Sequence, residues 1–345
     1  MLPIAIDAMG GDKGPAEIVA GAVRAATELG VPVLLVGNPD VLGDTGGLEV
    51  LPASEVIEMG DDVATGVRRK KDASVVRAAE AVRDGRASAM VSAGNTGAAM
   101  GSALLRMGRL PGVSRPAIAT PLPVPGSTPT VLLDAGANAE CTAEMLVQFA
   151  QMGAAFAAGR YGIEHPRTGL LSIGEEPTKG TGVVKEAHAA LAAPEVWAGS
   201  GGTFIGNVEG RDLLTDRVDV VVTDGFTGNV VLKTLEGAMV FMRDAVFGVM
   251  MSTPEAIQAS QVLVPLLMPL VREMDPDSYG GALLLGVDGV CIISHGASSA
   301  DAVFNAVGVA KDMVEGGLTD RLRLSVSPSQ PEVASPSQPE VARRV

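Results

Sequence analysis

The sequence predicts an α/β protein, a three-layer αβα sandwich on a mostly parallel sheet with a protruding helical hairpin, and three observations carry that prediction. Eight short aliphatic runs recur along the chain, each ending in Gly, Asn, Asp or Ser; helix-like patterns follow most of them; and one long segment breaks the rhythm. Runs apolar on both faces suit strands buried between helix layers. The polar and glycine residues at their ends suit tight turns into the next helix. The 43 glycines among 345 residues follow no short period, so they fit local turns rather than a fibrous or disordered chain.

The first run, IAIDAMGG (4–11), continues into AIDAMGGDKGP (5–15), where Pro15 opens a helix. This loop is neither the GxGxxG dinucleotide fingerprint nor the phosphate loop GxxxxGK[ST]. Gly10 and Gly11 let backbone approach a ligand, while Asp7 and Asp12 can hydrogen-bond neighbouring loops. After VLLVGN (33–38) comes AMVSAGNTG (89–97), in which Ser92, Gly94, Asn95 and Thr96 lie between strand and helix. Backbone N–H groups and hydroxyls converging there would suit a phosphate oxygen.

VLLDAGAN (131–138) brings Asp134 and Asn138 to a strand end and leads into a helix over 140–158, marked by Met145, Phe149, Met152 and Phe156. LLSIGEE (170–176) carries Glu175 and Glu176, with Lys179 just beyond, and TFIGNVEG (203–210) carries Asn207. In DVVVTDGFTGN (219–229), Asp224 and Asn229 repeat the strand, turn, helix context, and Lys233 follows. VCIISHGASS (290–299) ends in His295, which can cap a helix or act as an acid or charge stabiliser. Ligands of open α/β sheets bind beyond the carboxyl ends of the strands. All these loops are therefore expected at one rim, with Lys179 and Lys233 reaching a bound anion as point charges. The carboxylates of that rim lack DxD or HxxxH spacing, so hydrogen-bonding and capping roles are favoured over a metal cage.

The segment 230–274 reads as a helical hairpin leaving the sheet, with more exposed Met, Leu and Val than a surface helix needs. A dimer contact explains it, and so does contact with a membrane surface or an acyl chain. The hairpin belongs to a single α/β unit over 1–324. A flexible tail follows at 325–345, where SPSQPEVA occurs twice in tandem at 327–342 and is too polar to bury a core.

Net charge is −14, which argues against broad nucleic-acid binding. Arg68, Arg69, Lys70 and Lys71 form the densest basic run, either a solvated face or a dock for an acidic partner. Cys141 and Cys291 show no CxxC spacing, no GxSxG elbow occurs, and His165 and His188 sit in polar stretches. Covalent catalysis by the protein is thus the minority reading. No targeting leader and no unbroken run of membrane-spanning length is evident, so a cytoplasmic chain is expected.

Ten stretches in order, DAMGGDKGP, LLVGNPD, RRKKDAS, VSAGNTGAAM, LDAGANAEC, MLVQFAQMG, IGEEPTKG, DGFTGNVVLKTLEG, YGGALLLG and SHGASS, closely resemble the bacterial phosphate acyltransferases that act on acyl-acyl carrier protein. They span Asp7 to Ser299. The resemblance implies a phosphotransacetylase-like and isopropylmalate dehydrogenase-like fold. It also implies a reaction in which inorganic phosphate attacks the thioester of an acyl chain on acyl carrier protein, giving acyl-phosphate for phospholipid synthesis. No metal or organic cofactor is implied. The expected partners are acyl-acyl carrier protein, phosphate, a second subunit, the inner membrane surface and a membrane-bound glycerol-3-phosphate acyltransferase. On this reading Ser92, Gly94, Asn95, Thr96 and Asn229 contact phosphate or the oxyanion, Lys179 and Lys233 stabilise charge, and His295 protonates the departing thiolate. The basic run docks the acidic carrier protein. One departure is Ala73, where a serine is expected after Asp72. A short-chain, coenzyme A-dependent phosphotransacetylase and a non-catalytic carrier-protein scaffold are the competing readings, and a dehydrogenase is the weakest, for want of a dinucleotide fingerprint.

Overall fold

A computed structural model describes residues 1–58 and 60–326. Eleven strands form a single sheet: β1 (Ile4–Asp7), β2 (Val33–Gly37), β3 (Glu49–Pro52), β4 (Ala89–Ser92), β5 (Ala117–Leu122), β6 (Thr130–Leu133), β7 (Arg167–Leu171), β8 (Thr203–Val208), β9 (Val220–Val222), β10 (Ala282–Leu285) and β11 (Val290–Ile293). The helices are α1 (Ala16–Glu28), α2 (Pro39–Leu42), α3 (Val63–Arg69), α4 (Ser74–Arg83), α5 (Thr96–Ser102), α6 (Ala143–Tyr161), α7 (Gly182–Leu191), α8 (Gly225–Met250), α9 (Pro254–Glu273), α10 (Ala300–Glu315) and α11 (Leu318–Ser325). All eight aliphatic runs are strands. The helix expected over 140–158 begins at Ala143 because the Thr142 hydroxyl accepts the Met145 N–H and caps it there.

The sheet order is β3-β2-β1-β4-β11-β10-β5-β6-β9-β7-β8. Strands β3 to β11 form one parallel block and β6 to β8 another. Between them β10 and β5 pair antiparallel with each other and with their outer neighbours. Three successive reversals leave the two blocks pointing in opposite directions. The carboxyl ends of β1, β4 and β11 therefore lie on one edge of the sheet, and those of β6, β7, β8 and β9 on the other. The expectation of one common rim is corrected accordingly: it put all the strand ends of a mostly parallel sheet on one side, whereas the antiparallel β10 and β5 reverse the direction between the two blocks.

Alternation along the strands sends successive side chains to opposite faces. Ile4, Ile6, Val33 and Leu35 join a core with Ile18 of α1, Phe149 and Met152 of α6 and Val303 of α10. Ala5, Leu34, Val36, Met90 and Leu132 join the other, with Val76 of α4 and Ala98 of α5. The base of α8 packs on this second face through Val231, Leu232 and Leu235. Its remainder and α9 project away as an antiparallel pair that exposes Phe241, Val249, Val262 and Leu266.

By length and composition, though not as an unbroken apolar run, α9 is apolar enough to cross a membrane, with a mean hydropathy of 1.2. Gln258, Ser260 and Gln261 interrupt the run without lowering the average below that mark. The tandem octad lies outside the described residues.

Candidate functional site

The β1 loop is built around Asp7. Its buried carboxylate accepts the Ser92 hydroxyl at 2.7 Å, and the same hydroxyl oxygen accepts the Gly94 N–H at 3.2 Å. Burial pushes the Asp7 carboxyl above its ordinary range, partly offset by the Ser74 and Ser92 hydroxyls and the N–H groups of Met9 and Gly10. Gly10 is required by contact: a Cβ there would sit 2.7 Å from Asp7 Oδ2 and 2.8 Å from the Gly94 nitrogen. The Asp12 N–H donates to the Gly296 carbonyl at 2.7 Å, joining this loop to the β11 loop. Asp7, Gly10, Gly11 and Asp12 thus hold neighbouring loops in place. Asn95 caps α5, accepting the Ala98 N–H at 3.1 Å, which leaves Thr96 exposed at the helix start.

The opposite edge is built around Asp134. Its fully buried carboxylate accepts N–H groups from Ile118, Gly136, Ala137 and Asn138 and the side-chain amide of Asn138, at 2.7–3.1 Å. Asn138 also donates to the Pro116 carbonyl and accepts the Gly225 N–H at its own carbonyl. A Cβ at Gly228 would stand 1.9 Å from the Asp134 carbonyl oxygen, so only glycine lets α8 start here. Asp224 caps α8 by accepting the N–H and hydroxyl of Thr227. Asp134, Asn138 and Asp224 therefore shape this turn, and their hydrogen bonds run within the protein.

Between these two edges a cavity of about 320 Å³ lies over the antiparallel strands. Its floor is a row of same-face residues, Ile118, Thr120 and Leu122 of β5 with Ala282 of β10 and Ile293 of β11. Thr96 and His295 border it from one edge and Gly136, Asn229 and Lys233 from the other. Four of the expected site residues, Thr96, Asn229, Lys233 and His295, thus meet around one cavity, although they come from opposite ends of the sheet. His295 Nδ1 accepts the Ala297 N–H at 3.2 Å, so the neutral ring carries its proton on Nε2. Lys233 reaches Glu236 at 3.2 Å.

Two residues of the lining, Thr120 and Ser294, carry hydroxyl oxygens that are buried without a hydrogen-bond partner. Unpaired buried hydroxyls are costly, and both oxygens are closed off from the open space of the cavity. Neither stands out in the sequence: Thr120 sits in a strand interrupted by Pro121, and Ser294 reads as an ordinary turn residue before His295. The usable signal is the alternation of Thr120 with Ile118 and Leu122, which puts a hydroxyl on an apolar face.

Other expected residues stand apart. Lys179 is exposed in the β7 loop and does not line the cavity. Glu175 pairs with Arg217 at 2.7 Å, and that guanidinium holds its carboxyl below the ordinary range. Asn207, buried, donates to the Glu176 carbonyl at 2.9 Å. Of the basic run, Arg68, Arg69 and Lys71 are exposed, whereas Lys70 Nζ is held by the Val56 carbonyl and Asp61. Burial raises the Cys141 thiol to about 11 and the Cys291 thiol to about 12, so neither is a thiolate near neutral pH.

The profile of the fatty acid synthesis protein family matches residues 2–321. A protein of Elusimicrobium minutum named phosphate acyltransferase is 48% identical over 94% of this chain and 96% of its own. One of Heliobacterium modesticaldum with the same name is 46% identical over 90% of this chain and 94% of its own. Among solved structures, a branched-chain phosphotransacylase of Enterococcus faecalis superposes with a TM-score of 0.60 at 18% identity, covering 91% of this chain and 99% of that one. A phosphotransacetylase of Streptococcus pyogenes gives 0.61 at 16% identity, covering 92% and 94%. These structures share the αβα architecture. A profile match across almost the whole chain, with relatives close to half identical, places this chain in the fatty acid synthesis protein family, the family of these phosphate acyltransferases.

Proposed function

We propose that the protein transfers a fatty acyl group from acyl-acyl carrier protein to inorganic phosphate in this cavity. A phosphate oxygen attacks the thioester carbonyl carbon, the carbonyl becomes an oxyanion, and collapse breaks the C–S bond to give acyl-phosphate and the carrier thiol. Phosphate is itself the nucleophile, so the protein's work is to hold it, orient it and stabilise the oxyanion. One observation carries the reading: a largely apolar cavity whose rim offers Thr96, Asn229, Lys233 and the Nε2–H of His295. Thr96 and Lys233 hold phosphate, Asn229 and His295 donate to the oxyanion, and the thiolate takes its proton from solvent or the phosphate.

The acidic carrier protein docks on Arg68, Arg69 and Lys71, with Lys70 committed to its own loop. The exposed apolar residues of α8 and α9 support a homodimer contact and peripheral association with the inner membrane surface, from which a membrane-bound glycerol-3-phosphate acyltransferase would take the product. The largely apolar lining favours a long acyl chain over the two-carbon group of a coenzyme A-dependent phosphotransacetylase.

The test is thiol release by the purified protein from long-chain acyl-carrier protein and from acetyl-coenzyme A, with and without phosphate. Release only with the carrier substrate and only with phosphate is expected, and lost on Asn229→Ala. Activity with acetyl-coenzyme A alone, or no release with any acyl length, would overturn the reading.

A further inference from the structure

The cavity does not end at its polar rim. A second space of about 270 Å³ continues from it, sharing Glu236, Met239, Met274, Asp277 and His295, and is bordered further out by Val240, Arg243 and Val271. The α8 residues along this path are Asn229, Leu232, Lys233, Leu235, Glu236, Met239, Val240 and Arg243. All but Leu235, which packs toward the sheet, recur at steps of three and four residues, the spacing of one helix face. Fourteen steps at the helical rise, from Asn229 to Arg243, give a path of ~21 Å. That suits an extended long acyl chain and far exceeds a two-carbon group.

The charged groups on the path have partners of their own. Glu236 meets Lys233, Arg243 meets Asp244, Asp275 accepts the Asp277 N–H, and the Asp277 carboxylate accepts the Ser299 hydroxyl. What they leave to the groove is mainly methylene surface, with Met239 and Met274 at its middle. Methionine side chains adapt to a flexible apolar guest without a fixed shape.

We infer that the acyl chain of the substrate lies along this face of α8, running from the polar rim between α8 and the last turn of α9, and that Val240 and Val271 set the length accepted. The inference rests on the proposed acyl transfer and adds the specificity-determining residues. The occupant is the substrate's own chain because the groove opens directly from the site where the thioester carbonyl must sit. A second copy of the protein would instead cover the outward face with Phe241 and Val249.

The experiment compares phosphate-dependent thiol release from carrier thioesters graded from octanoyl to stearoyl, using the full chain and its Val240→Trp and Val271→Trp variants. The ratio of palmitoyl to octanoyl kcat/KM is expected to fall about tenfold or more in each variant, with octanoyl turnover kept. Val240 is already 47% exposed, so added bulk there need not disturb folding, and this variant carries the test alone if Val271→Trp does not fold. An equal loss at every length, an unchanged profile, or a changed dimer dissociation with an unchanged profile would overturn the inference. Absence of phosphate-dependent release at every length in the parent protein would instead remove the acyl-transfer reading itself.

Discussion

The two glycine-rich turns that border the cavity are closed to different degrees. After β6, Asp134 collects five N–H donors and has no exposed surface, so the turn is complete before any ligand arrives. After β4, the organising carboxylate is Asp7 from the neighbouring strand, reached through the Ser92 hydroxyl and pushed toward its protonated form by burial. One turn positions the start of α8, with Asn229 and Lys233; the other positions α5, with Thr96. A fully satisfied turn supplies a rigid base for a long projecting helix. The turn held through one hydroxyl is the one that can respond to protonation.

That contrast breaks most readily at Asp134. Asp134→Ala leaves several buried N–H groups unpaired, and a loss on the order of 3 kcal/mol or more in unfolding free energy is expected from urea titration, together with loss of activity. A cost below about 1 kcal/mol would mean that the β6 turn is not held by this carboxylate.

The next effect separates two lysines that the sequence places on equal terms. Lys233→Ala removes a point charge at the cavity, and kcat/KM for phosphate is expected to fall roughly a hundredfold, the scale of losing one preorganised stabilising group. Lys179→Ala, on the exposed β7 loop, is expected to change it less than about threefold. Equal losses would show that the lysine nearest the cavity is not the one that meets phosphate.

Much of the scaffold is legible in the sequence, because buried parallel strands are short unbroken aliphatic runs. The runs that became β1, β2, β4, β6, β7, β8, β9 and β11 are all of this kind. The strands the sequence conceals are those that decide where the site lies. β3 is an edge strand, EVLP, exposed at Glu49 and Pro52; β5, AIATPL, carries Thr120 and Pro121; β10 is four residues long after two glycines. Strand direction leaves no mark on a single run. Hence Thr96, Asn229, Lys233 and His295 carry a mark in the sequence, while the division of the strand ends between two edges and the buried hydroxyls of Thr120 and Ser294 carry none.

A smaller effect tests the responsive turn. Asp7 has a folded value above its ordinary 3.8, so the native state holds more protons than the unfolded chain between 3.8 and that raised value. Its contribution is fully present below 3.8 and is lost as pH rises through the folded value. Relative to Asp7→Asn, the parent protein should therefore lose stability across that window and level off above it, measured by urea midpoints over a pH series. Parallel curves for the two proteins would remove Asp7 as the titrating group.

The smallest expected effect lies at the cavity end of α8. Lys233 Nζ stands 3.2 Å from Glu236 Oε2, and both side chains are partly open to solvent. An incoming phosphate must compete with that carboxylate for the ammonium group and meets a second negative charge beside it. Glu236→Gln keeps the shape and removes both oppositions. Because a pair this open contributes little, the KM for phosphate is expected to fall only about two- to fivefold, with the gain shrinking as salt is added. Arg243 and Asp244 lie further along the same helix and provide the control: Asp244→Asn changes the same formal charge away from the polar rim and should leave the KM for phosphate unmoved. A KM that rises in Glu236→Gln would mean that the carboxylate holds Lys233 in its working position, and that this end of the site, like the Asp134 turn, is set before phosphate arrives.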